Sequence, residues 1–215
     1  MNSQSIENYL KAIFNQAIST DEVNTTGIAQ ALEVSLPSVN SMVKKLAGMG
    51  LLEYQKYKPL KITDKGRKMA ARIIRKHRLT EMYLVEKMGF GWEEVHDIAE
   101  QLEHIQSPAF FDRMDELLGY PQRDPHGSPI PNKNGQIAVQ EYRPLADCQP
   151  GEQVELKALG HTSDEFLKYL NSKELALGVK VEVLEVEAFD RNMKVEYSGH
   201  REVLSALVCS KLLVS

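Results

Sequence analysis

The sequence predicts a mainly helical protein that carries a small β domain at its C-terminal end. Three observations predict it. Up to about residue 118 the apolar residues recur at spacings of three and four, the mark of helices. From residue 152 onward they alternate in twos, the mark of half-buried strands. Between the two regimes lies a stretch rich in Pro, Gly and polar residues. At 215 residues the chain exceeds one domain of ~100–150 residues, so several compact units are expected. The patterning divides it into a winged helix-turn-helix over 1–75, a helical domain over 76–132, a linker over 133–150 and a small β-barrel over 151–215.

Ile6, Leu10, Ile13, Phe14 and Ile18 set out a first helix, and Thr25 or Thr26 can cap a short second one bearing Ile28 and Leu32. Ser35 reads as the N-cap of a third helix with Pro37 in its first turn, running to Met49 and burying Val39, Met42, Val43 and Leu46. Two strand-like runs, 51–54 and 60–62, then flank a basic turn. Thr63-Asp64-Lys65-Gly66 opens a long helix to Met88. A second helix spans 92–105 and a third starts at Ser107-Pro108 and ends near Leu118, before an ordered Pro/Gly loop over 120–131. In the C-terminal part, turns at Gly151, Gly178 and Gly199 separate short alternating strands, with one helical turn at 164–167.

Helix, helix, turn, helix and basic hairpin is the order of a winged helix-turn-helix, whose third helix enters a DNA major groove while the wing touches phosphate. Ser35, Ser38, Asn40 and Ser41 are the residues of that helix able to read base edges, with Thr26 and Pro37 beside them. Lys44, Lys45, Lys56 and Lys58 suit phosphate. Charge follows the same division. Residues 1–76 hold 12 Lys/Arg against 6 Asp/Glu, whereas residues 77–215 hold 14 against 24 and all six histidines. A basic head on an acidic body implies a polyanion at one surface and cations at the other.

The two cysteines, Cys148 and Cys209, make neither a disulfide framework nor a thiolate zinc ribbon, and they suit a reducing cytoplasm. No stretch is long and apolar enough for a membrane span, and Met1–Ser5 has neither the basic flank nor the apolar run of a signal peptide. No P-loop, dinucleotide fingerprint or nucleophile motif is present.

The chemistry concentrates on two helices. His77 and Glu81 are four apart on one, and His96, Glu100, Glu103 and His104 share an arc of roughly 100° on the next. So many ionisable groups on facing helices would be costly to bury unpaired, so a divalent metal is expected. Imidazole and carboxylate donors favour Mn²⁺ or Fe²⁺ as the working ion, with Zn²⁺ or Co²⁺ able to bind in vitro. Met82, Met88 and Met114 read as core residues.

The run Arg75-Lys76-His77-Arg78-Leu79-Thr80-Glu81, followed by Val95-His96-Asp97, Glu100 and Glu103-His104, resembles the diphtheria toxin repressor and manganese transport regulator family of metal-activated transcriptional repressors. The resemblance spans nearly the whole chain and implies an SH3-like fold for the C-terminal barrel. It implies two metal sites per subunit. One would use His77, Glu100, Glu103 and His104 with Asn8 on the first helix. The other would use Glu81 with His96, or Glu81 with Asp124, His126 and either Asp164 or Glu165. Iron-responsive members place Cys at Glu100 and Met at Asn8, so Glu100 points toward manganese. Manganese-responsive members carry Asp at Asn8, and some carry Glu at Lys11. Here Asn8 offers a neutral oxygen and a protonated Lys11 cannot ligate.

The resemblance implies a homodimeric cytoplasmic repressor, not an enzyme, that binds palindromic operator DNA when loaded with Mn²⁺, with Fe²⁺ as the alternative metal. No membrane and no small-molecule substrate are expected among its partners. A metalloenzyme using the His/Glu cluster to activate water is the rival from another class; it would need an open coordination position and a substrate cleft.

Overall fold

A computed structural model describes residues 3–19, 23–55, 58–138 and 141–215. Two units make up the chain. The first takes Met1–Thr80, Ala99–Tyr120 and Ile130–Ala138; the second takes Glu81–Ile98, Pro121–Pro129 and Val139–Ser215.

The first unit opens with α1 (Ser3–Ser19), α2 (Thr25–Ala31) and α3 (Leu36–Gly48). Leu10 and Ile13 of α1 and Val39, Val43 and Leu46 of α3 are wholly buried in one core. The Asn24 side chain caps α2 by accepting the Gly27 N–H at 2.8 Å, one residue before the Thr25–Thr26 cap expected from sequence. Asn is the stronger N-cap, which decides the boundary. Ser35 caps α3, with Pro37 in the first turn. Strands β1 (Leu52–Glu53) and β2 (Lys61–Ile62) pair antiparallel, Leu52 opposite Ile62. Thr63 starts α4 (Asp64–Met88) by accepting the Gly66 N–H at 3.1 Å while donating to the Gly50 carbonyl at 2.8 Å. Gly66 is required there, because a Cβ would stand 2.2 Å from the Leu51 carbonyl oxygen.

Helix α5 (His96–Leu102) is shorter than the 92–105 expected. Glu94 accepts the Gly91 N–H and closes a turn that holds residues 91–94 out of the helix. Glu103 and His104 follow α5 in its last turn, where the Lys76 ammonium donates to the carbonyls of Glu103 (3.2 Å) and Ile105 (2.9 Å). A cation at the C-terminal carbonyls of a helix satisfies acceptors that the helix leaves open. Burial lowers the Lys76 pKa, and the Glu7 and Glu103 carboxylates oppose that shift. In α6 (Pro108–Leu117), Asp115 is buried and ion-paired with Arg75, which also donates to the Pro131 carbonyl at 2.7 Å.

The second unit is built on one antiparallel sheet in the order β3-β8-β4-β5-β6-β7. Its strands are β3 (Arg143–Pro144), β4 (Gln153–Leu159), β5 (Lys180–Val186), β6 (Met193–Tyr197), β7 (His200–Leu204) and β8 (Leu212–Val214). The pairing does not close, contrary to the barrel expected: β3 and β7 are edges among the described strands. Edge strand β3 is two residues long and contains Pro144, which has no N–H to offer a further strand. Where one helical turn was expected, α7 (Asp164–Ser172) runs nine residues and buries Leu167 and Leu170. Helix α8 (Ala206–Cys209) precedes β8. The last part of the segment read as a linker joins this core, since Leu145 and Cys148 are fully buried in it.

Replacing Arg75 with Met should leave the Asp115 carboxylate buried without its cation. Removing one partner of such a pair costs about 3–5 kcal/mol, so urea unfolding should show a drop of that order. An unchanged midpoint would mean that the pair contributes nothing.

Candidate metal centres and nucleic-acid face

Each unit holds one buried cluster of imidazole and carboxylate. In the first unit, His77 of α4, Glu100 of α5 and Glu103 just beyond it bring one ligand atom each within 4.8 Å of one another. Glu103 is wholly buried and His77 nearly so. His77 Nδ1 lies 2.6 Å from Glu103 Oε2. His104 Nδ1 lies 2.6 Å from Glu7 Oε2, leaving His104 Nε2 3.8 Å from Glu103 Oε1. A carboxylate on one imidazole nitrogen sets the tautomer and aims the other nitrogen's lone pair, the usual support of a metal-ligating histidine. Glu7 thus orients His104, and Gln106 steadies Glu7 through a 3.0 Å hydrogen bond.

Helix α1 supplies the rest of this cluster. Asn8 Oδ1 is buried with no hydrogen-bond partner, an orphaned oxygen of the kind a cation satisfies. Lys11 places its ammonium 2.8 and 3.0 Å from the two Glu103 oxygens and pairs directly with Glu100. The donor types therefore suit a hard divalent ion, and a lysine already engages two of them.

The second unit gathers Glu81, Asp124 and His126, all buried, with ligand atoms within 4.8 Å. His126 Nδ1 stands 3.9 Å from Glu81 Oε2. Its Nε2 lies 2.9 Å from the Trp92 carbonyl, which can only accept, so Nε2 carries the proton and Nδ1 presents its lone pair to Glu81. The Trp92 ring stacks on the imidazole with centroids 6.0 Å apart, and its indole N–H donates to Asn171 of α7 at 2.7 Å. Asp124 Oδ1 accepts the backbone N–H groups of His126 and Ser128, both at 2.9 Å, which locks the carboxylate into the turn. Gly127 has φ +85° and lies against β4, where a Cβ would be 2.3 Å from the Lys157 carbonyl oxygen. These three side chains offer two anionic oxygens and one neutral nitrogen in a dry setting, a donor set that fits a divalent cation.

His96 is half exposed and reaches Glu81, its Nδ1 lying 3.5 Å from Glu81 Oε1, within ligand distance of that carboxylate. Asp164 is exposed at the start of α7 and joins no described cluster. Glu7 was missed from sequence: its signal was only its place four residues before Lys11 on one helix face, and the partner His104 lies 97 positions away.

On the basic side, Thr26, Pro37, Ser38, Asn40, Ser41 and Lys44 are exposed, and Lys45 is partly so. Ser35 is exposed and spends its hydroxyl on the α3 cap. Asn40 and Lys44 of α3 share a groove with Thr25, Tyr54 and Lys58. Lys56 lies outside the described residues.

Three family models match in succession: the iron dependent repressor N-terminal DNA binding domain over residues 1–60, the iron dependent repressor metal binding and dimerisation domain over 63–132, and the FeoA domain over 143–215. The HTH-type transcriptional regulator MntR of Oceanobacillus iheyensis is 36% identical over 120 residues, covering 56% of this chain and 81% of that protein. The chain belongs to the diphtheria toxin repressor and manganese transport regulator family. Within the family, the iron-dependent repressor IdeR of Mycobacterium leprae is 38% identical over 125 residues, 58% of this chain and 54% of that protein. The chain thus spans about half the length of that relative. The solved structure of a manganese-dependent transcriptional repressor in complex with manganese superposes with TM-score 0.89 at 33% identity, covering 97% of this chain and 98% of that one. The structure of ScaR with bound Cd²⁺ gives 0.82 at 33% identity, covering 98% of both.

Neither cluster of this family member includes a thiolate. Cys148 and Cys209 are fully buried in the second unit; burial raises both thiols, Cys209 to about 12. Both should therefore stay protonated and resist iodoacetamide at pH 7.5 in the native protein, then alkylate fully in guanidinium. Rapid native labelling of either would show that this core opens.

Proposed function

We propose that this protein is a divalent-metal-dependent transcriptional repressor, with Mn²⁺ favoured, that binds palindromic operator DNA as a homodimer and controls genes of metal-ion homeostasis in the cytoplasm. One observation carries the reading: the same chain holds buried His/carboxylate clusters and a winged helix with an exposed Asn- and Lys-bearing recognition helix. Its function is regulatory rather than enzymatic, in line with relatives that are an iron-dependent repressor, a transcriptional regulator and a manganese-dependent transcriptional repressor.

Asn8, His77, Glu100, Glu103 and His104 would hold one ion, and Glu81, Asp124 and His126, with His96 at the margin, the other. Bound there, a divalent ion supplies positive charge that offsets repulsion between buried carboxylates. The chain's own residues convert that into order. Glu7 ties α1 to the turn after α5, and α1 packs directly on α2 and α3. A ligand that prefers the ordered state by a few kcal/mol moves most of the population to it. In that state Asn40, Ser38 and Ser41 can meet base edges while Lys44, Lys45 and Lys58 meet phosphate.

Phe110, Leu117 and Tyr120 on and after α6 leave large apolar area exposed, as a dimerisation surface requires. Iron is the second reading, favoured by the iron dependent repressor models that match residues 1–60 and 63–132. Carboxylate Glu100, in place of a softer ligand, favours manganese.

Fluorescence anisotropy with the promoter DNA of a manganese transporter gene should show binding with Mn²⁺ and at least ~100-fold weaker binding in chelator, the range of a ~3 kcal/mol coupling. Equal affinity in both would end the reading. Lys44→Ala and Lys58→Ala should each weaken binding to all sequences and reduce the salt slope by about one; Asn40→Ala should instead relax preference at one base position.

A further inference from the structure

We propose that Lys11 is an internal cation that competes with metal for the first-unit cluster and so weakens metal binding there. This rests on the metal-dependent reading above and adds an affinity-setting residue to it. The argument starts from charge. Glu103 is wholly buried, and both of its oxygens lie within 3.0 Å of the Lys11 ammonium. Glu100, one helical turn before it, pairs with the same ammonium. The lysine side chain is only 13% exposed and Glu103 not at all, so that pair is shielded from solvent and poorly screened, whereas Glu100 is 36% exposed.

An ammonium is compact and donates in three directions, and here it meets three carboxylate oxygens. They belong to Glu100 and Glu103, the two carboxylates of the candidate metal group. A divalent ion and an ammonium cannot share them, because two cations at such separation in a dry site repel strongly. Metal entry therefore requires that Lys11 swing away and lose its partners.

The same geometry gives Lys11 a second role in the metal-free protein. It ties α1 to α5 and to the turn after it through salt bridges, so α1 is held before metal arrives. Asn8, on the same face three residues earlier, keeps a buried oxygen without a partner. Its oxygen is the one group of this cluster that only an incoming cation would satisfy.

The test is calorimetric titration of chelator-stripped full-length protein with MnCl₂, with far-UV circular dichroism to confirm folding. Wild type should show a tight event that Asp124→Asn removes and a weaker one that Glu103→Gln removes. Lys11→Met, which keeps side-chain length and discards charge, should tighten the weaker event at least tenfold and leave the tight one within twofold. Lys11→Gln serves if the Met variant does not fold. The rise in melting temperature on adding Mn²⁺ should also be larger in the variant than in wild type. A weaker event that is unchanged or weakened in the variant, or missing from both proteins, overturns the role of Lys11. Absence of any Mn²⁺ binding, the Asp124-dependent event included, overturns the metal-dependent reading itself.

Discussion

Carboxylates removed from water impose the constraint on which both units are organised. Glu7, Glu81, Glu103, Asp115 and Asp124 are all buried, and each would cost several kcal/mol if left unpaired. The surroundings of each follow from that cost. Arg75 answers Asp115, His104 and Gln106 answer Glu7, backbone N–H groups answer Asp124, Lys11 with His77 answers Glu103, and His96 and His126 stand beside Glu81. Hydrophobic packing alone would not set these helices in register so tightly. A misplacement of one ångström in α5 would leave a buried charge without its partner.

The two clusters meet the same demand in different ways. Around Glu103 the compensation comes from side chains on two helices, Lys11 of α1 and His77 of α4, so it can be rearranged by rotating a few bonds. Around Asp124 it comes from a turn's own backbone, with Gly127 pressed on β4 and the His126 proton fixed by the Trp92 carbonyl. The first arrangement can exchange one cation for another; the second is preformed. A sensor needs both properties, since a rigid site sets affinity while an exchangeable one couples binding to the position of a helix.

The helices were legible because their apolar spacing and caps act locally. Ser35 and Thr63 mark boundaries by accepting N–H groups three positions along the helices they start, and Pro37 does so through its fixed φ in the first turn. His77, Glu100, Glu103 and His104 were also legible, since helical periodicity puts such residues on one face. Errors arose where long-range contacts decide. The sheet's failure to close depends on a two-residue edge strand at Arg143–Pro144, which has no alternation to detect. Glu7 acquires its role from a residue nearly half the chain away. The position of Asp164, which the family resemblance offers as a ligand, is likewise set at long range: it lies at the exposed start of α7, seated by the core that Leu167 and Leu170 build.

Lys11 shows why residue type and position must be read together. By type it is a surface cation in a basic N-terminal segment, suited to DNA phosphate. By position it is mostly buried against an acidic helix, and its ammonium meets carboxylates instead. Its charge is then spent inside the unit and adds little to the field that attracts DNA, which must come from the exposed Lys44 and Lys58. The basic excess of residues 1–76 therefore overstates the charge available to nucleic acid, because Lys11, Arg75 and Lys76 all point at acidic groups or carbonyls within the fold. Local charge counts describe a surface only after the buried pairs have been subtracted, and here that subtraction divides the basic residues between recognition and internal control.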